Sequence, residues 1–281
     1  MAKSDTQHQS VQALLEEAMP GENAYDVIRR KARAVVAKAR PLWKGPPFCP
    51  TALADIEGII VEKAPCDIRS DGRIFAKGGQ VYIQYAEGPS NERIRFTICH
   101  ELAHTLFPDC FKRERRRSPA EKAEWEFENL CNTAAAEFLF PLEEFSREIG
   151  TGILTGDRIK SLAQLYEASV DATAIRCVKL CKVAASVVFA EYKQPEKGKI
   201  VSLFAQYSIP NDNFALPIRK GLKINSKSVA NRAFQEQQVL SATSESWMVH
   251  GKWGRFRVEA IPLPKFQSKA TADLAIVLYQ R

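Results

Sequence analysis

Apolar residues recur at helical spacing between Ala24 and Leu42, where Val27, Ile28, Ala32, Val35, Val36 and Ala39 form one face. Arg29, Arg30, Lys31 and Arg33 fall largely off that face and read as solvated. A polar lead precedes it, with a short helix near Val11 to Met19 closed by Pro20-Gly21. After Pro46-Pro47 the pattern predicts a short helix from Thr51 to Glu57 and a strand from Gly58 to Glu62. Arg73–Ala76 and Gln80–Tyr85 then flank Gly78-Gly79, the signature of a β-hairpin. Asn91 to Phe107 is helical up to Pro108. A second long helix starts at Ser118-Pro119-Ala120-Glu121, where Ser118 can cap and Pro119 suits the first turn, and Pro141 stops it. Shorter helices are expected at Leu142–Ile149, Arg158–Glu167 and Ser169–Lys182. From Ser186 the period changes to that of strands, at Ser186–Tyr192, Ile200–Tyr207, Trp253–Ile261 and Leu274–Tyr279, with a helix near Ser226–Gln235.

The elements predict an α+β protein without internal repeats, in three parts: a domain over 1–150, a helical segment over 151–184 and a mixed α/β domain over 185–281. Hydrophobic residues at 45% and charged residues at 26% are ordinary for a globular chain, so composition excludes neither catalysis nor binding. The net charge of +7 suits an acidic partner or nucleic acid without requiring one. The first ten residues lack the apolar core of a signal peptide, and no apolar run is long enough to span a bilayer. Seven scattered cysteines fit reduced thiols better than a disulfide framework. Cys177 and Cys181 lie one turn apart, but no second pair completes a metal site, so both read as buried apolar side chains. A cytoplasmic protein is the expectation.

The chemistry concentrates in the two long helices. His100-Glu101-Leu102-Ala103-His104 has the H-E-x-x-H spacing, which puts both imidazoles on one helix face, within reach of a single zinc ion, with Glu101 beside them as a candidate base. A catalytic zinc takes a third protein ligand and keeps one position open. His8 lies in the polar lead and His250 far downstream, so the third ligand is sought among Glu121, Glu124, Glu126, Glu128 and Glu137 of the second helix. Trp125, Leu130, Ala134, Phe138 and Pro141 outline the apolar stripe by which that helix would pack on the first. Glu128, in the apolar half beside Cys131 and Ala135, needs a partner to justify its burial, with Glu124 as runner-up.

Arg95-Phe96-Thr97-Ile98-Cys99-His100-Glu101-Leu102-Ala103-His104, followed by the stretch from Glu128 through Asn132 to Pro141, resembles the ImmA/IrrE family of bacterial zinc peptidases and peptidase-like regulators. The resemblance is close over about residues 55–150; Ala103 stands where glycine is common and Phe140 where methionine is common. It implies a zincin-like domain, Zn2+ as cofactor, His100, His104 and Glu128 as ligands and Glu101 as the catalytic residue. It also implies a substrate: a helix-turn-helix transcriptional repressor, cut at one site to release stress-response or mobile-element genes.

Leu162 to Arg176 resembles a helix-turn-helix whose second helix begins at Ser169, although Glu167 stands where the turn usually has glycine and Asp171 opens the second helix. A packed helical pair or a repressor-docking surface is the preferred reading over direct DNA binding. The last hundred residues resemble a small sensor-like α/β domain of the GAF type. There Trp247, Trp253, Phe256 and His250 could line a ligand pocket, or serve as core. The expected function is a site-specific zinc endopeptidase. The alternative is a DNA-binding transcriptional regulator with a structural or vestigial zinc, drawn from the net charge, the Arg113–Arg117 loop and the 162–176 segment.

Overall fold

The computed structural model describes residues 8–65, 68, 70–111, 121–193, 201–214, 218–249, 251–264 and 272–280, without the side chains of 121–123. The Arg113–Arg117 loop, the Ser118 cap and His250 lie outside the described residues. The architecture is mixed α and β, with helices and two sheets in two compact units: Met1–Glu144 with Leu165–Ala168, and Phe145–Gln164 with Ser169–Arg281.

In the first unit, α1 (Gln9–Leu15) is followed by α2 (Ala24–Ala39), which begins at a capping box between Asn23 and Asp26. The α2 residues Val27, Ile28, Ala32, Val35, Val36 and Ala39 are all buried, as their spacing predicts. The helix stops short of Leu42 because Pro41 cannot donate to the ladder, and Arg40–Leu42 closes as a 3-10 turn. Next come α3 (Pro50–Ile56), β1 (Ile59–Lys63), β2 (Gly72–Lys77) and β3 (Gln80–Tyr85). Gly78 and Gly79 both have positive φ, 59° and 81°, which a two-residue hairpin turn of matching twist requires. β3 is the central strand, antiparallel to β2 and parallel to β1. Against this sheet lies α4 (Asn91–His104), capped by the Ser90 side chain. α4 ends at His104, three residues before the expected end at Phe107, and Thr105 closes it. α5 (Glu121–Leu139) packs against both α4 and α2. Its buried side includes Phe127, Leu130, Cys131, Ala134, Ala135 and Phe138, but Trp125, expected in that stripe, is 66% exposed.

The boundary between the units falls in α6 (Leu142–Ile149). The second unit holds α7 (Gly156–Leu165 up to Gln164), α8 (Val170–Leu180), β4 (Ala185–Lys193), β5 (Ser202–Pro210), α9 (Val229–Glu236), β6 (Leu240–Val249), β7 (Lys252–Pro262) and β8 (Leu274–Gln280). The five strands are antiparallel in the order β5-β4-β8-β7-β6. Val188, Ala190, Ile276 and Leu278 share one core with Ala230 and Ala233 of α9, while α8 packs on β4, β5 and β8. The first six residues of both β4 and β8 are buried, so their patterns are continuous rather than alternating. β6 is absent from the sequence-based expectation. It is an edge strand with a register shift between Ala242 and Glu245, and Trp247 is its one fully buried residue, so it shows no strong apolar period.

Candidate metal centre

The centre is built where α4 and α5 face one another. His100 and His104 sit one turn apart on α4, with ring centroids 5.1 Å apart. Ligand atoms of His100, Glu101 and His104 all lie within 4.8 Å of one another. Donors on one zinc at about 2.0–2.2 Å stand roughly 3–4 Å apart, so this set fits a divalent cation after small side-chain adjustments. From α5, Glu128 Oε2 reaches within 3.1 Å of His100 Nε2. Glu128 therefore borders the cluster through His100 and is not one of the three mutually close donors. Two of the other candidate carboxylates are placed elsewhere, and the Glu121 side chain lies outside the described residues. Glu137 is buried and ion-paired with Arg33 of α2 at 3.1 Å. Glu124 faces His8 Nε2 at 3.7 Å.

Each imidazole has an α5 partner on its Nδ1. Asn132 Oδ1 lies 3.0 Å from His100 Nδ1, and Cys131 Sγ lies 3.6 Å from His104 Nδ1. Such contacts fix ring orientation and leave Nε2 for an ion. Burial disfavours the charged form of His100, but the Glu128 hydrogen bond and charge, the Glu101 charge and the Asn132 hydrogen bond raise its pKa above the ordinary 6.5. Sequence reasoning noted Asn132 within a motif but gave it no task; Cys131 carried no signal beyond being apolar.

Two further positions shape the site. β2 passes so close to α4 that a Cβ on Gly72 would stand 2.4 Å from Thr97 Cγ2 and 3.3 Å from Glu101 Cγ. Arg95 is buried and donates to the carbonyls of Phe48 (2.7 Å), Glu167 (3.1 Å) and Tyr166 (3.3 Å), so this motif residue anchors α4 to the 165–168 segment. Glu167 has φ 46°, the left-handed turn conformation that glycine takes more easily, as the helix-turn-helix pattern anticipates. His8, set aside as part of a polar lead, stacks on Phe127 at 4.6 Å, and Phe127 in turn lies 5.3 Å from His104. Tyr82 of β3 is stacked on Phe75 of β2 at 5.5 Å.

Residues 63–178 match the model of the M78 peptidases, described as the IrrE N-terminal-like domain. Over this segment the chain is similar to the IrrE N-terminal-like domain. The match takes in β2, β3, α4 and α5, and so every residue of the metal centre. A Mycobacterium tuberculosis transcriptional regulator has a similar fold, with a TM-score of 0.57 over 90% of this chain and 76% of that one at 12% identity. No curated protein sequence matches the chain. No helix among the described residues is long and apolar enough to cross a membrane.

Outside the IrrE-like centre, a cavity of about 270 Å³ in the second unit is lined by Trp247 and Trp253, together with Lys223, Glu245 and Met248. Phe256, grouped with those tryptophans in the sequence, is instead core, 5.8 Å from Phe214. Cys177 and Cys181 are buried as expected, and burial pushes the Cys177 thiol up to about 12. α8 has a single exposed residue, Lys179. A recognition helix needs a row of them to read a major groove.

Proposed function

We propose that the chain is a site-specific, zinc-dependent endopeptidase of zincin-like architecture that cleaves a helix-turn-helix repressor and so switches on stress-response or mobile-element genes. The observation carrying this reading is the convergence of His100, Glu101 and His104 within 4.8 Å, with Glu128 against His100. His100, His104 and Glu128 would hold Zn2+, which when bound supplies Lewis acidity towards water and a peptide carbonyl. Glu101 accepts a proton from the attacking water as its oxygen bonds to the carbonyl carbon. It returns the proton to the amine nitrogen as the C–N bond breaks. Asn132 and Cys131 keep the imidazoles oriented. The second unit, in this reading, is a GAF-like sensor that governs activity.

Purified protein should contain about one zinc per chain, and the His100→Ala/His104→Ala variant should contain none. Glu101→Gln should retain zinc and thermal stability but lower repressor cleavage in co-expression by on the order of a hundred-fold or more. Loss of zinc in Glu101→Gln would instead make Glu101 a ligand and return Glu128 to question. The second reading, a DNA-binding regulator with a structural zinc, draws on the +7 charge and on the name of the mycobacterial neighbour. The burial of α8 weighs against it, and specific duplex binding that survives physiological salt would favour it.

A further inference from the structure

His8 caps α1 and Ser10 lies in its first turn, and the contacts of both lead to the end of α4, where His104 stands. The His8 ring is stacked on Phe127 of α5, with centroids 4.6 Å apart and planes 22° apart. Phe127 is 2% exposed, and its ring lies 5.3 Å from the His104 imidazole and 4.7 Å from Phe107. Ser10 Oγ donates to Asp109 Oδ2 at 2.9 Å, in the segment that follows α4. One turn of α1 therefore reaches His104 by two routes, through the ring packed beside it and through the chain just beyond it.

The two imidazoles of the centre are held differently. His100 Nδ1 has the Asn132 side-chain oxygen at 3.0 Å, a group with a fixed hydrogen-bonding direction. His104 Nδ1 faces the Cys131 thiol at 3.6 Å, a weak hydrogen-bonding group, so packing contributes more to holding this ring. That packing includes Phe127, and a void beside Phe127 would let it relax and take the imidazole contact with it. The His8 ring fills that space. It is itself pinned: Nδ1 accepts from the Ser10 N–H at 3.2 Å, and Nε2 lies 3.7 Å from Glu124 Oε2. Val11 and Leu14 of α1 are fully buried, and α1 packs on α2.

We propose that the first turn of α1 is a positioning device for the metal centre. His8, through Phe127, and Ser10, through Asp109, keep His104 in the orientation that a bound metal ion needs. Both are positioning residues, acting through other side chains. The inference rests on the proposed metal reading of His100, Glu101 and His104 and extends the centre to a part of the chain some ninety residues away in sequence.

The test titrates the full-length chain with Zn2+ and with Co2+ in competition with a chromophoric chelator, and records the visible absorption of the Co2+ form as a readout of coordination geometry. Two variants separate the ring from the helix cap. His8→Phe keeps a ring for Phe127 and loses the acceptor for the Ser10 N–H; His8→Asn keeps an acceptor and loses the ring. His8→Asn should weaken both metals by roughly 3- to 10-fold, less than the loss of a group bonded directly to a ligand, and should shift the Co2+ bands. His8→Phe should match the parent in both, and Ser10→Ala should weaken both metals in the same range as His8→Asn. Parental affinity and bands in His8→Asn would overturn the proposal. So would equal weakening in His8→Phe and His8→Asn, or lowered melting temperatures of the metal-free variants with metal affinity unchanged, since helix capping or bulk stability would then be the whole effect. A parent that binds metal while His8→Asn is unaffected removes this inference alone. A parent that binds neither metal removes the metal reading and this inference together.

Discussion

Gly72→Ala tests how closely β2 must approach the helix that carries the candidate base. Gly72 is buried, and its φ is outside the left-handed region, so alanine adds no backbone strain and the perturbation is steric. The new methyl would meet Thr97 Cγ2 at 2.4 Å, about 1 Å inside ordinary contact, and Glu101 Cγ at 3.3 Å. Neither backbone yields easily: Gly72 is registered opposite Tyr85 in the β2–β3 ladder, and Thr97 lies in mid-helix. Overpacking of this kind costs about 1–3 kcal/mol. Thr97→Ser removes the offending methyl and by itself costs about 1 kcal/mol of lost burial. In urea denaturation of the metal-free proteins, the double variant should be no less stable than Gly72→Ala alone, a coupling of about 1–2 kcal/mol. Its repressor cleavage should recover only in part, because the contact with Glu101 persists. If the two losses simply add, or Gly72→Ala is within about 0.5 kcal/mol of the parent, the close approach is not a constraint.

Asn132→Ala should lower zinc affinity about 10- to 100-fold in competition with a chromophoric chelator, because His100 loses the acceptor on its Nδ1. Because the folded-state pKa of His100 is raised above 6.5, its contribution to the stability of the metal-free protein is complete below pH about 6.5 and is lost as pH rises through the folded value. Denaturation midpoints of parent and His100→Gln between pH 5.5 and 8.5 should therefore converge at the alkaline end. Glu137→Gln should leave zinc stoichiometry unchanged while weakening the α2–α5 contact through Arg33, by about 1–3 kcal/mol in the same urea assay.

How far the site could be read from residues alone depended on whether the relevant neighbours lie on the same helix. His100 and His104 are four apart on one helix, so their convergence follows from 3.6 residues per turn and is legible without any tertiary information. The partner across the interface is a weaker inference. Five glutamates on the second helix were open candidates, and burial alone could not separate a carboxylate facing an imidazole from one facing Arg33. Glu137 is the more deeply buried of the two, at 1% exposure against 42% for the Glu128 side chain, yet it faces Arg33 and not an imidazole. The premise that a buried acid needs a partner holds for Glu137, whereas Glu128 is too exposed for the premise to point to it. Similarly, the hairpin turn was legible because Gly78-Gly79 is a local requirement, whereas Gly72 serves a contact with residues 25 and 29 positions away in sequence, Thr97 and Glu101, and leaves no local trace.

Trp125 shows the same limit from the other side. Its place in a stripe with Leu130, Ala134 and Phe138 rests on helical periodicity, which assumes that the apolar face is covered along the full length of the helix. The α4 helix ends at His104, and among the described side chains of α5 the first buried one is Phe127, which meets His104 and Phe107. An apolar residue before that point is outside the covered stretch however well it fits the period. Helical spacing alone therefore placed Trp125 in the stripe, and its 66% exposure shows that the spacing held from Phe127 onward and not before it.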